Sequence, residues 1–172
     1  MGSIVFGGTQ FSPKELGAGA AFYVAGLNTK DQEEQLDAIY SIIVLAGIDW
    51  EEWSDAAFNA DETMLEMVGQ ILEIWSARPW RTTVMLATTT VTQWHTIRGR
   101  LIQKGIPDPL RQIRTLNALL DAVEAMLMES AASQGEKELK ELERQLYPPP
   151  AVGETPKGNW SDDALLEMFP DA

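Results

Sequence analysis

Ile113, Leu116, Leu120, Val123 and Leu127 follow one another at intervals of three and four residues, which places all five on one side of an α-helix. A chain with such a stripe must bury it against another surface, and here the pattern recurs. Leu36, Ile39, Tyr40, Ile43 and Val44 repeat it over 30–46, and Met64, Leu65, Val68, Leu72 and Trp75 repeat it over 61–77. Residues 79–104 carry Thr82, Thr83, Thr88, Thr89, Thr90, Thr92 and Thr96, and such β-branched side chains suit strands. Yet Trp80, Val84, Ala87, Val91, Trp94 and Leu101 keep helical spacing and strict alternation is absent, so the spacing predicts one long helix capped at Gly105. The expected fold is all-α: a single bundle of five to seven helices over 12–147, its core carried by 30–46, 61–77, 79–104 and 109–131.

Boundary residues divide the chain further. Ser12-Pro13-Lys14-Glu15 reads as a capping box that opens a short helix, weakened by Gly17 and Gly19 and stopping at Gly26. Thr29 with Gln32, Asp49 with Glu52, and Ser133 with Glu136 read as further boxes. The second of these opens a helix that carries Trp50, Trp53 and Phe58; the third opens a charged helix that ends at Tyr147. Asp108 and Pro109 are expected to cap and start the helix over 109–131. Residues 1–11 lack periodicity and are expected to form a flexible arm or a short added strand. Residues 148–159 contain four prolines and two glycines and read as a stiff, extended linker. A short amphipathic helix over 160–172 is expected to follow, capped by Ser161 or Asn159.

Charge and composition exclude much. The chain has 26 acidic and 13 basic residues, a net charge of −13, which disfavours contact with a phosphate backbone, so no nucleic-acid partner is expected. No apolar run approaches a membrane span, so no membrane partner is expected either. The absence of cysteine removes disulfides, thiol nucleophiles and thiolate metal sites. His95 is the only imidazole and lies off the apolar stripe, which suits a surface or edge position. There is no phosphate-binding glycine loop, no nucleophile elbow and no metal-ligand spacing among the carboxylates. No catalytic residue, cofactor or metal is therefore expected, and the chain reads as a non-enzyme.

The charges are segregated. Residues 31–73 hold twelve acids and no base, whereas 78–114 hold seven bases (Arg78, Arg81, Arg98, Arg100, Lys104, Arg111, Arg114) and one acid, Asp108. The two segments are either solvated helix faces, or halves that face each other, or complementary surfaces for a partner or for a homo-oligomer. Trp50, Trp53, Trp75, Trp80 and Trp94 suit the core or its edge, with an interface as the alternative. The candidate contact residues are Trp50, Trp53, Arg98 and Arg100 on the body, and Trp160, Leu165, Leu166 and Phe169 on the tail. The tail is expected either to fold back on its own bundle or to dock on another chain.

Several stretches carry a resemblance. Arg78-Pro79-Trp80, Trp94 with Ile97-Arg98-Gly99-Arg100-Leu101, and Gly105-Ile106-Pro107-Asp108-Pro109 form one set. The run from Leu116 to Glu124, Leu146-Tyr147-Pro148 and the segment from Trp160 to Phe169 form another. Over about 78–172 the chain resembles tail assembly chaperones of long-tailed actinobacterial phages. The resemblance implies a non-enzymatic protein that holds the tape-measure protein, a long and aggregation-prone helix, and recruits tail-tube subunits. It also implies action in the host bacterial cytoplasm and absence from the mature virion. A structural virion protein, such as a head–tail connector or minor tail protein, and a phage protein that binds a host factor are the alternatives.

Overall fold

A computed structural model describes residues 2–149. Two short strands, β1 (Ile4–Phe6) and β2 (Thr9–Phe11), pair antiparallel through a Gly7-Gly8 turn in which both residues have positive φ, 51° and 83°. Such a two-residue turn matches the natural twist of paired strands. A 3₁₀ turn (Ala18–Ala20) leads into α1 (Ala21–Gly26). There follow α2 (Gln32–Leu45), α3 (Trp50–Asn59), α4 (Met64–Ser76) and α5 (Trp80–Thr92). After them come α6 (Trp94–Gln103), α7 (Pro109–Gln112), α8 (Leu116–Gln134) and α9 (Glu136–Leu146). The fold is all-α, with one small hairpin at its start.

Helix α5 occupies the centre, against α1, α4, α6 and α8, and this is why its threonines Thr82, Thr83 and Thr90 are buried. Ile42, Ile43, Met67, Val68, Ile71, Leu86, Leu119, Leu120 and Val123 meet in the core. Small residues set the closest approaches: a Cβ added at Gly69 of α4 would lie 2.7 Å from the Trp80 ring, so only glycine admits that ring there.

Local chemistry explains most boundaries. Asp49 accepts the Glu52 N–H at 3.0 Å, the capping half of the box expected for α3. Helix α4 is opened by a reciprocal box between Thr63 and Glu66. At α2 the cap is Asp31, which accepts from Glu33 and Glu34, while Thr29 sits two residues earlier and donates to the Glu34 carboxylate.

Several expectations are corrected. Of the two readings of 1–11, the flexible arm is corrected and the added strand is nearer: residues 4–11 fold as the hairpin, whose Phe6 and Phe11 are buried against α3. Residues 12–17 are not helical. Their backbone groups serve distant partners instead, the Lys14 N–H donating to the Ala46 carbonyl and the Leu16 carbonyl accepting from the Leu116 N–H, each at 2.8 Å. The long helix over 79–104 is two helices, α5 and α6, broken at Gln93. Hydroxyls of Thr88, Thr90 and Thr92 donate to carbonyls one turn back, at Val84, Leu86 and Thr88, a bond that bends helices and competes with their continuation. The helix over 109–131 is likewise divided: α7 is a single turn, and α8 begins at its own cap, where Thr115 accepts the Ala118 N–H. Ser133 caps nothing; its hydroxyl bonds the Ser130 carbonyl, and α9 starts after Gly135. Most of the expected linker, and the C-terminal helix with Trp160, Leu165, Leu166 and Phe169, lie outside the described residues.

Candidate interaction surface

Helix α2 has more apolar residues than its neighbours can cover. Its buried side is Ala38, Ile39, Ile42 and Ile43, which packs toward α1 and α4. That leaves Leu36, Tyr40 and Val44, three residues at intervals of four, exposed to 46%, 48% and 47%. The expected inward stripe is thereby corrected: only Ile39 and Ile43 of its five members face the core. Four-residue spacing makes the three exposed side chains a row along the helix. Trp50, half-buried at the start of α3, extends the row, its ring edge-on to Tyr40 at 5.2 Å. Glu33, Glu34, Asp37 and Glu51 are exposed on the same two helices. An apolar row with an acidic margin fits an amphipathic partner helix that carries basic residues.

Trp53, three residues from Trp50, has no part in such a surface. It is fully buried, 5.5 Å from the Phe6 ring and 5.8 Å from the Phe11 ring, and holds the hairpin onto α3. It is a core residue, so its place among the contact candidates is corrected. Arg98 and Arg100 are exposed on α6, as the contact expectation requires, and His95 is exposed beside them. Cations of the basic segment find partners on α8: Lys104 reaches Glu129 at 2.9 Å, and that hydrogen bond holds the Glu129 carboxyl below its ordinary range.

The most connected polar cluster joins the α4–α5 turn to α8 and α9. Arg78, its side chain 8% exposed, pairs with Asp121 and, at 3.0 Å, with Glu124, and donates to Asn117 at 3.3 Å. Asn117, Asp121 and Glu124 share one face of α8, at intervals of four and three. Tyr147 donates to Glu124 at 2.6 Å, and Thr82 donates to the Leu146 carbonyl. Arg78, Asn117, Asp121, Glu124, Leu146 and Tyr147 all lie within the stretches that carry the resemblance, and the fold gathers them into one knot that fastens the end of α9. Their convergence was not read from the sequence; the shared α8 face of the three acceptors was the signal for it.

Burial first, and then the bond to Glu124, raises the Tyr147 phenol above its ordinary value of 10.0. The neutral phenol is favoured in the fold, so this contribution is complete below pH 10 and is lost as pH rises past it. We expect stability to fall above about pH 10, more steeply in the native chain than in Tyr147→Phe. At neutral pH that variant should be less stable by about 1 kcal/mol. Urea midpoints at stepped pH check both statements.

The crevice between α4, α5 and α8, lined by Leu16, Leu72, Trp75 and Leu120 among others, has room for about one water. Among the described residues no group of three or more His, Asp or Glu is placed to hold a metal ion, and no helix is long and apolar enough to cross a membrane. No curated protein and no solved structure matches the chain. Residues 89–164, which run from the last turn of α5 through α9 and beyond the described residues, are similar to a family of unknown function (DUF7240).

Proposed function

We propose that this chain is a non-enzymatic tail assembly chaperone of a long-tailed phage. In this reading it holds the tape-measure protein and recruits tail-tube subunits in the host bacterial cytoplasm, and it is left out of the finished virion. The observation that supports the reading best is the uncovered row of Leu36, Tyr40 and Val44 on α2, continued by Trp50. A row with four-residue spacing can lie along another helix over about two turns. Covering the exposed half of each side chain contributes about 1 kcal/mol apiece. One copy therefore holds its client weakly and lets it go, which suits many copies spread along a long helix that the tube must later enclose. The acidic margin of the row favours a basic client helix, and the net negative charge keeps loaded copies apart.

The test is co-expression with the tape-measure protein of the same phage. The native chain is expected to raise the soluble tape-measure fraction several-fold. Leu36→Asp combined with Tyr40→Asp should leave the helical signal unchanged and remove that gain. Unchanged tape-measure solubility with the native chain, or recovery of the chain from purified virions by mass spectrometry, would overturn the reading. Recovery from virions would favour a head–tail connector or minor tail protein instead.

A further inference from the structure

We propose that the segment 160–169 docks onto the basic face formed by α6 and α7 of the same chain. Exposed apolar side chains stand at several places on the body, Phe22 and Tyr23 on α1 and Phe58 on α3 among them, but those on α2 and those on α6 and α7 have charged neighbours of opposite sign. Beyond Lys157 the chain holds Asp162, Asp163, Glu167 and Asp171 and no base, alongside Trp160, Leu165, Leu166 and Phe169. The α2 row is bordered by Glu33, Glu34 and Asp37, and like charges brought together there oppose docking. The α6–α7 surface has the opposite character. Arg98 and Ile102 stand one turn apart on α6, Leu110 and Arg111 follow on α7, and Arg114 comes just after it. Ile102 is 44% exposed and Leu110 40%. The side chains of Arg98 and Arg114 make no hydrogen bond or ion pair among the described residues, and Arg111 comes only to 3.8 Å from Asp108. Unpaired cations beside uncovered aliphatic side chains are what an acidic amphipathic segment needs.

The chain also starts from the right place. Tyr147 is bonded to Glu124 on α8, and the C-terminal end of α6 is tied through Lys104 to Glu129 on the same helix. Glu124 and Glu129 are five residues apart, about 7.5 Å along the helix axis and about 140° around it, so the connecting chain has to pass around α8, a helix about 10 Å across. The twelve residues 148–159, drawn out at about 3.1 Å each, can cover about 37 Å. The segment therefore reaches α6 and α7 of its own chain, where tethering supplies a local concentration near the millimolar range and a modest contact is enough. The inference does not depend on the chaperone reading, since it needs no partner.

Amide hydrogen exchange on the full-length chain alone tests it. In the native chain at low salt, residues 94–114 should be protected. Trp160→Ala combined with Phe169→Ala should raise exchange there several-fold while 32–50 stays unchanged, and about 0.5 M NaCl should act in the same direction. Reciprocally, Arg98→Glu combined with Arg114→Glu should speed tryptic cleavage at Lys157 several-fold. If that charge reversal disturbs folding, the tail variant decides, because it alters no residue of the body. An unchanged 94–114 in the tail variant, or a change on 32–50 in its place, overturns the proposal. Protection that vanishes on tenfold dilution also overturns it, since docking would then be between copies.

Discussion

Trp53→Ala is expected to lower the unfolding free energy by about 4 kcal/mol, the range for deleting a fully buried large aromatic. The indole is enclosed by Phe6 and Phe11 in edge-on geometry, which adds to the loss of buried area. Its N–H has no acceptor among the described residues, so the substitution removes packing and leaves no orphaned partner there. The hairpin should suffer most, because Phe6 and Phe11 lose the surface they rest on. Urea denaturation measures the total, and amide exchange over residues 4–11 should rise first. Trp53→Phe keeps a ring in the cluster and should retain more than half of the stability lost in the alanine variant. On the proposed function the pair also separates core from surface: Trp53→Ala would weaken client holding only as far as it unfolds the chain, whereas Leu36→Asp with Tyr40→Asp would act on a folded one.

Arg78→Ala is expected to remove about 3 kcal/mol, the size of effect seen when one member of a buried ion pair is deleted. Glu124 dominates, because its side chain is 16% exposed and is left, among the described residues, with the Tyr147 hydroxyl alone as a partner. Asp121, at 57%, is solvated enough to contribute little. Arg78→Met combined with Glu124→Leu should recover much of the loss, since neither charge is then left alone. Denaturant midpoints of Arg78→Met, Glu124→Leu and their combination form the cycle that tests this coupling, and exchange on α9 should rise in Arg78→Ala.

The parts of the fold that were legible in the sequence are those decided locally. Asp49 and Glu52 lie three residues apart and the cap they predict is the one that forms, because nothing distant competes for those groups. Ser12 to Glu15 offers the same pattern and no helix follows, because Ala46 and Leu116, far along the chain, engage the backbone there. The apolar spacing over 79–104 identified a helical stretch correctly but passed over its threonines, whose hydroxyls bond backward to the main chain and permit the break at Gln93. Contact residues were harder to read. Trp50 and Trp53 are the same residue type one turn apart, yet one edges a surface and the other fills the core, a difference set by where the hairpin lands. Periodicity marks which residues share a helix face but not how much of that face the neighbours cover, and so the open row on α2 emerged only once α1 and α4 were in place.

The knot around Arg78 lies at the end of α9, downstream of the helix whose position it sets. Tension applied to the polypeptide beyond Pro148 would meet Tyr147 and Leu146 first and pass through Glu124 and Thr82 into α8 and α5. Helix α9, which packs on α8 along Leu139, Leu142 and Leu146, is thereby spared. Whatever tugs on this terminus pulls against a mooring sunk into the middle of the bundle, and the helix nearest the rope stays slack.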